Sequence, residues 1–274
     1  MTIQNDSFDT RRLRSTRDRL PRAASLRTIA ALVLREMSVT YGRTPGGYVW
    51  AVLEPALGVG LLVFIFSAGF RTPPLGTNFA IFYASGLLPF FTFMAMSAKV
   101  QQAINYSKQL LNYPRVTFMD ALLARLVLGV LTQLAVSALI FTFILTTYET
   151  RTVLRLDRLL NAYAMAIALG FGIGVLNCLL ISRHAIWGTV WSVITRPLFL
   201  VSGVIFLQES IPEPYRSWLE WNPLVHVAGE ARRAFYYSYA GDYVDPVFAY
   251  GVAAICAAAG LLMLQSYYRD LLER

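Results

Sequence analysis

Six long apolar runs constrain the fold of this chain more than any other feature of its sequence. They occupy about residues 48–70, 79–98, 118–147, 161–182, 186–207 and 246–266. Each is long enough, at roughly 20 residues or more, for an α-helix to cross about 30 Å of hydrocarbon, and the third is longer than the others; a helix satisfies its own backbone polar groups there. The sequence therefore predicts an all-α integral membrane protein with six transmembrane helices.

The charge distribution supports a membrane location. Only 15% of the residues are charged, whereas a soluble domain has about a quarter. The net charge of +8 is uneven, because nine of the 24 lysines and arginines precede the first apolar run. A basic block beside a span is typical of a cytoplasmic segment, and no aromatic and basic platform for nucleic acid accompanies it. We therefore expect no nucleic-acid partner.

The N-terminal region divides into two parts. Residues 1–24 are polar and Arg-rich, which predicts a disordered basic cytoplasmic tail, and no short apolar core of a cleaved signal follows them. From Ser25 onward apolar residues recur at helical spacing, so residues 25–43 are predicted to form an amphipathic helix in the membrane interface. The alternative is a helix packed on a soluble partner. Residues 25–274 then form the transmembrane domain.

Basic residues in the short loops predict the orientation. With the N-terminus inside, one inner loop holds Lys99, Lys108 and Arg115, and the first outer loop holds only Arg71. Three arginines in the second outer loop weaken this contrast, but the large outer segment 208–245 is rich in acidic residues. The positive-inside rule therefore places both termini in the cytoplasm.

The sequence lacks the motifs of common catalytic sites. It has no phosphate-binding G-x-x-x-x-G-K-[ST] loop, and its two histidines lie in no metal-ligand spacing. Gly170 and Gly174 lie within an apolar run, where this spacing favours close helix packing. We expect no catalytic, cofactor or metal site in this chain. A hydrolase acting within the membrane stays an alternative, although no G-x-S-x-G elbow is present.

Arg196 is the most informative single residue. It lies about ten residues into the fifth run, near the middle of the bilayer at 1.5 Å per residue, where a guanidinium facing lipid costs several kcal/mol. It could cap the carbonyl freed by Pro197, pair with Glu54 or Asp120, or face a conduit for anionic groups. Glu54, near the start of the first run, could neutralise an arginine or contact substrate.

Two connecting segments have distinctive patterns. The inner loop 99–116 is amphipathic and ends near Pro114, which suits a short helix that docks on a cytoplasmic partner or lies on the membrane. The outer segment 208–245 is rich in aromatic residues, which form an interfacial belt or a platform for sugar rings. Its Asn222-Pro223 pair predicts two short helices separated by a turn, and these could be re-entrant beside a water-filled exit.

Several motifs resemble one transporter family. The opening resembles that of polysaccharide-exporting ABC-2 type permeases, especially the capsule branch, in Arg35-Glu36, Tyr41-Gly42-Arg43 and residues 47–55. Later motifs are also similar, in residues 196–199, 202–204 and 222–224 and in Glu230-x-x-Arg233. The resemblance follows the same order across residues 26–270.

The resemblance implies a permease that is no enzyme on its own. Two copies would form a channel across the bacterial inner membrane, and two separate ABC ATPase subunits would bind ATP and Mg. Residues 25–43 would be an interface helix, 99–116 a coupling helix and 208–245 re-entrant helices. The substrate would be lipid-linked capsular polysaccharide, handed to a periplasmic co-polymerase and an outer-membrane exporter. An O-antigen or teichoic acid exporter of the same architecture is the alternative.

Two sets of site residues follow from this resemblance. The substrate channel would contain Trp50, Glu54, Arg196, Ser202, Tyr215, Trp218, Trp221, Arg232 and Arg233. The contact with the ATPase would contain Gln101, Ile104, Asn105, Leu110, Leu111 and Pro114.

Overall fold

The protein is a bundle of α-helices. The computed structural model describes residues 22–41, 47–104, 106, 118–184 and 186–273, and within these ranges it contains no strand. The prediction of an all-α fold is therefore confirmed. The helices are α1 (Arg22–Tyr41), α2 (Gly47–Gly69), α3 (Phe79–Gln101), α4 (Phe118–Thr147), α5 (Leu156–Arg183), α6 (Ile186–Val201), α7 (Tyr215–Leu219), α8 (Pro223–Phe235) and α9 (Pro246–Glu273).

Five helices of the described residues are long and apolar enough to cross a membrane. They are α2, α3, α4, α5 and α9, and they coincide with five of the six runs predicted from the sequence. The sixth, α6, has 16 residues, which extend about 24 Å and fall short of the hydrocarbon thickness. The sequence predicted that this span would continue to residue 207, but the helix ends at Val201 and Gly203 adopts a left-handed φ of 69°.

The core of the bundle lies around α3 and α5. Helix α3 is the most buried of the five spanning helices and α2 is the least buried. The short helix α8 packs against α3, α5 and α9. Helix α6 packs mainly on α5, and none of its side chains is buried. Two apolar helices, α2 and α6, thus expose most of their surface in a single chain.

Glycines set the close packing on both sides of α5. A Cβ added at Gly170 would lie 2.5 Å from the Met96 Cβ of α3, and one at Gly174 would lie 2.7 Å from the Val100 Cβ. The predicted role of this glycine pair in helix packing is therefore confirmed. On the opposite side, a Cβ at Gly172 would overlap the Ala253 carbonyl oxygen of α9. These contacts let α5 lie directly between α3 and α9.

We expect Gly172→Val to destabilise the protein. The added side chain would have to displace the α9 backbone at Ala253, and overpacking of this kind costs about 1–3 kcal/mol or more. Gly251→Val on α9 is the matched control, because no atom lies within 4 Å of a Cβ at that position. Thermal unfolding in detergent should show a lowered midpoint for Gly172→Val alone. Equal midpoints for the two variants would contradict this packing.

Candidate functional site

A cavity of about 490 Å³ opens between α2, α3 and α4. It brings together Trp50 and Glu54 of α2, which the sequence analysis assigned to a substrate channel, and Lys99 at the end of α3. Gln133 of α4 adds a further polar group to the lining. The Trp50 side chain is largely exposed, and the Glu54 side chain is also exposed. The cavity therefore offers a carboxylate beside an aromatic ring, and Lys99 forms part of its wall.

Arg125 connects three parts of the chain close to this cavity. Its Nη2 donates to the Glu36 Oε1 of α1 at 2.6 Å, and its Nη1 donates to the Lys99 carbonyl oxygen at 3.1 Å. Its guanidinium carbon lies 4.2 Å from the centre of the Tyr106 ring. The Arg125 side chain is only 7% exposed, so these partners replace the water that a guanidinium would otherwise bind. Helix α1 is thereby fastened to α4 and to the end of α3.

The residues predicted to contact an ATPase are only partly described. Gln101 is the last residue of α3, and Ile104 is 2% exposed in a cluster with Val100, Leu122 and Leu179. Ile104 therefore packs into the protein, and its contact with an ATPase stays a prediction. Asn105, Leu110, Leu111 and Pro114 lie outside the described residues, and their contact with an ATPase stays a prediction.

Arg196 lies on an exposed face of α6. Among the described residues it forms no ion pair, so a single chain pairs it with neither Glu54 nor Asp120. The start of α6 is fixed to α5 by a hydrogen bond of 2.8 Å from the Trp187 Nε1 to the Asn177 Oδ1. The rest of the helix presents Arg196 away from the bundle.

Arg232 of α8 has the opposite environment. It is fully buried, and its Nη1 and Nη2 donate to the carbonyl oxygens of Phe206 and Val204, both at 3.0 Å. Its guanidinium carbon lies 4.5 Å from the centre of the Phe82 ring of α3. Arg232 therefore satisfies the backbone of the non-helical segment that follows α6. These contacts favour an anchoring role over the channel role that the sequence analysis assigned to Arg232.

Glu230 forms a second buried polar group on α8. Its side chain is 0% exposed and accepts hydrogen bonds from the Arg158 Nη1 at 3.2 Å and the Asn161 Nδ2 at 3.0 Å, both on α5. The Arg233 Nη1 contacts it at 3.4 Å, and the Tyr250 hydroxyl of α9 donates to the Asn161 Oδ1 at 2.9 Å. Arg233 is 26% exposed, so it belongs to this network and also reaches the surface.

Asn222 joins the ends of two helices. Its Oδ1 accepts from the Leu224 N–H at 3.0 Å as the N-cap of α8, and Pro223 occupies the first turn. Its Nδ2 donates to the Val201 carbonyl oxygen at 2.9 Å and lies 3.3 Å from the Ser202 Oγ. Ser202, predicted to line the channel, is 1% exposed beneath this junction. The two short helices expected around Asn222-Pro223 are present as α7 and α8.

The aromatic residues of the outer segment fall into two groups. Tyr215, Trp218 and Trp221 are 58%, 68% and 75% exposed, and the first two line an open cavity of about 430 Å³ beside Val201. The hydroxyl groups of Tyr239 and Tyr243 form a hydrogen bond of 3.1 Å with each other, and burial raises the pKa of both phenols. The exposed rings are thus the ones free to meet a ligand or a membrane interface.

The sequence matches known transport proteins over most of its length. Residues 27–236 match the family described as "ABC-2 type transporter". The chain is 32% identical over 218 residues to the polysialic acid transport protein KpsM of Escherichia coli, covering 80% of this chain and 84% of KpsM. The capsule polysaccharide export inner-membrane protein BexB of Haemophilus influenzae is 24% identical over 252 residues, covering 88% of this chain and 91% of BexB. The capsule polysaccharide export inner-membrane protein CtrC of Neisseria meningitidis serogroup B is 22% identical over 246 residues, covering 89% of this chain and 92% of CtrC.

Proposed function

Because this chain belongs to the ABC-2 type transporter family, we propose that it is the permease subunit of an ATP-driven exporter of lipid-linked capsular polysaccharide. The observation that carries this proposal is the 32% identity to a polysialic acid transport protein across 80% of the chain. Two further relatives are named for capsule polysaccharide export. These names favour capsule over O-antigen or teichoic acid as the substrate. Neighbouring genes for capsule synthesis would support the same choice.

A second copy of the chain would complete the channel. Helices α2 and α6 expose apolar side chains, and lipid alone could cover these side chains. The exposed Arg196 indicates that this face also contacts water or protein, because a guanidinium facing only hydrocarbon is costly. We infer that α6 and the segment 202–207 together complete a sixth crossing. Two such faces would enclose a path in which Arg196 meets anionic groups of the glycan.

The ATPase that drives transport would be a separate protein. The chain contains no phosphate-binding loop, so ATP and Mg would be bound by two ABC ATPase subunits. Residues 99–116 would form a coupling helix that contacts the ATPase and moves with it. Helix α1 would lie beside this segment as an amphipathic interface helix. The chain itself would carry out no covalent chemistry.

The location proposed for the permease is the bacterial inner membrane. Its relatives BexB and CtrC are named as inner-membrane proteins. The loop charges support cytoplasmic termini, with the basic tail 1–24 on that side. Helices α7 and α8 would then be re-entrant from the periplasmic side and release the glycan to a co-polymerase and an outer-membrane exporter. The rings of Tyr215, Trp218 and Trp221 are exposed, which supports a role in stacking on sugars there.

Copurification tests the proposal. We expect the tagged chain, in nanodiscs, to retain a candidate ABC ATPase in equal amounts and to stimulate its ATP hydrolysis. The intramembrane hydrolase alternative predicts instead that the chain alone cleaves a lipid or peptide. A complex that never forms, combined with cleavage by the isolated chain, would overturn the proposed function.

A further inference from the structure

We propose that Arg125 is a positioning residue that makes α1 and the coupling segment move as one unit when the ATPase acts. The group formed by Glu36, the Lys99 carbonyl, Arg125 and Tyr106 is called the Arg125 junction below. This inference rests on the proposed function, because it assigns a mechanical role within the same exporter.

The geometry of the junction joins elements that are distant in sequence. Glu36 lies on α1, 89 residues before Arg125, and the Lys99 carbonyl lies 26 residues before it in the last turn of α3. Tyr106 lies just beyond α3, within the predicted coupling segment 99–116. One side chain of α4 thus contacts the interface helix, the end of a span and the segment that leads to the ATPase.

The chemistry of arginine explains why these contacts act together. A guanidinium is always charged, and its planar fork can serve a carboxylate and a carbonyl at its edge while an aromatic ring covers its face. Because Arg125 is nearly buried, losing one partner leaves part of a charged group unsatisfied. A displacement of Tyr106 or of the end of α3 is therefore resisted unless Arg125 and Glu36 move as well.

Side-chain packing links the Arg125 junction to the cavity of the candidate channel. Val100 and Ile104 are fully buried beside Leu122 of α4, so the backbone around Lys99 cannot shift independently of α4. Lys99 also lines the 490 Å³ cavity that contains Trp50 and Glu54. A movement of the junction would consequently change the shape of this cavity.

The test compares ATP hydrolysis with glycan export in the reconstituted complex. Glu36→Gln preserves the shape of the side chain but removes the charge that Arg125 holds. We expect the variant complex to assemble and to hydrolyse ATP normally, while glycan exported per ATP falls by about tenfold. Glu149→Gln is the matched control, since it makes the same chemical change at an exposed carboxylate outside the junction.

Tyr106 provides an independent check. Tyr106→Phe keeps a ring over Arg125 and should leave the export-to-hydrolysis ratio unchanged, whereas Tyr106→Leu should lower it. A normal ratio in both Glu36→Gln and Tyr106→Leu would overturn the inference. So would a loss confined to the amount of assembled complex, because that result assigns the junction a purely structural role. A wild-type complex without ATP-driven export would overturn the proposed function itself.

Discussion

Arg232→Met is expected to remove most of the protein from the membrane. The substitution leaves the buried carbonyl group of Val204 and the partly buried one of Phe206 without donors, and a buried unsatisfied group costs about 1–3 kcal/mol. It also removes the contact between the guanidinium and the Phe82 ring. A few kcal/mol is a large part of the total stability of most proteins. Immunoblotting of membrane fractions and unfolding in detergent would measure the loss.

Two variants control this experiment. Arg71→Met makes the same chemical change at an exposed loop residue and should leave abundance unchanged. Arg232→Lys keeps the charge but cannot serve both carbonyl groups with a fixed fork, so an intermediate abundance is expected. A folded and abundant Arg232→Met protein would show that the segment after α6 does not depend on Arg232. If that protein also failed to export, Arg232 would belong to the substrate path.

Arg196→Ala should have the opposite phenotype. Because Arg196 is exposed on a helix with no buried side chain, its loss should leave abundance and ATPase binding intact. Export should fall by more than about tenfold, corresponding to at least about 1.4 kcal/mol in the rate-limiting step. The measurement is surface glycan in cells, normalised to permease abundance.

Val193→Ala is the matched control for Arg196→Ala. Val193 is 56% exposed on the same helix and carries no charge, so export should continue. Disappearance of the Arg196→Ala protein from the membrane would instead make Arg196 a structural residue. Normal export by an abundant Arg196→Ala protein would remove it from the channel.

Hydropathy alone could predict most of the fold, because each spanning helix is a long apolar run. It could not predict the end of α6, since residues 202–207 are as apolar as the helix before them. The break depends on tertiary contacts from Asn222 and Arg232, which lie on a later part of the chain. Contacts of this kind, between distant parts of the chain, cannot be recognised from local pattern.

The candidate site was predicted only in part. Trp50 and Glu54 do share a cavity, but Lys99 entered the sequence analysis only as a loop charge. Glu36 appeared in the sequence only as part of the Arg35-Glu36 motif, and its partner lies 89 residues away. One signal could have found that partner, because Arg125 is an ionisable residue within an apolar run.

The most direct test of the central claim is ATP-driven transport by purified components. Proteoliposomes would contain the chain, its ATPase facing outward and lipid-linked capsular glycan in the outer leaflet. ATP should move the glycan inward, where an added glycosidase cannot cut it, and vesicles lacking the chain or given a non-hydrolysable ATP analogue should show no protection. Protection that is independent of ATP, or cleavage of the glycolipid by the chain alone, would contradict the account.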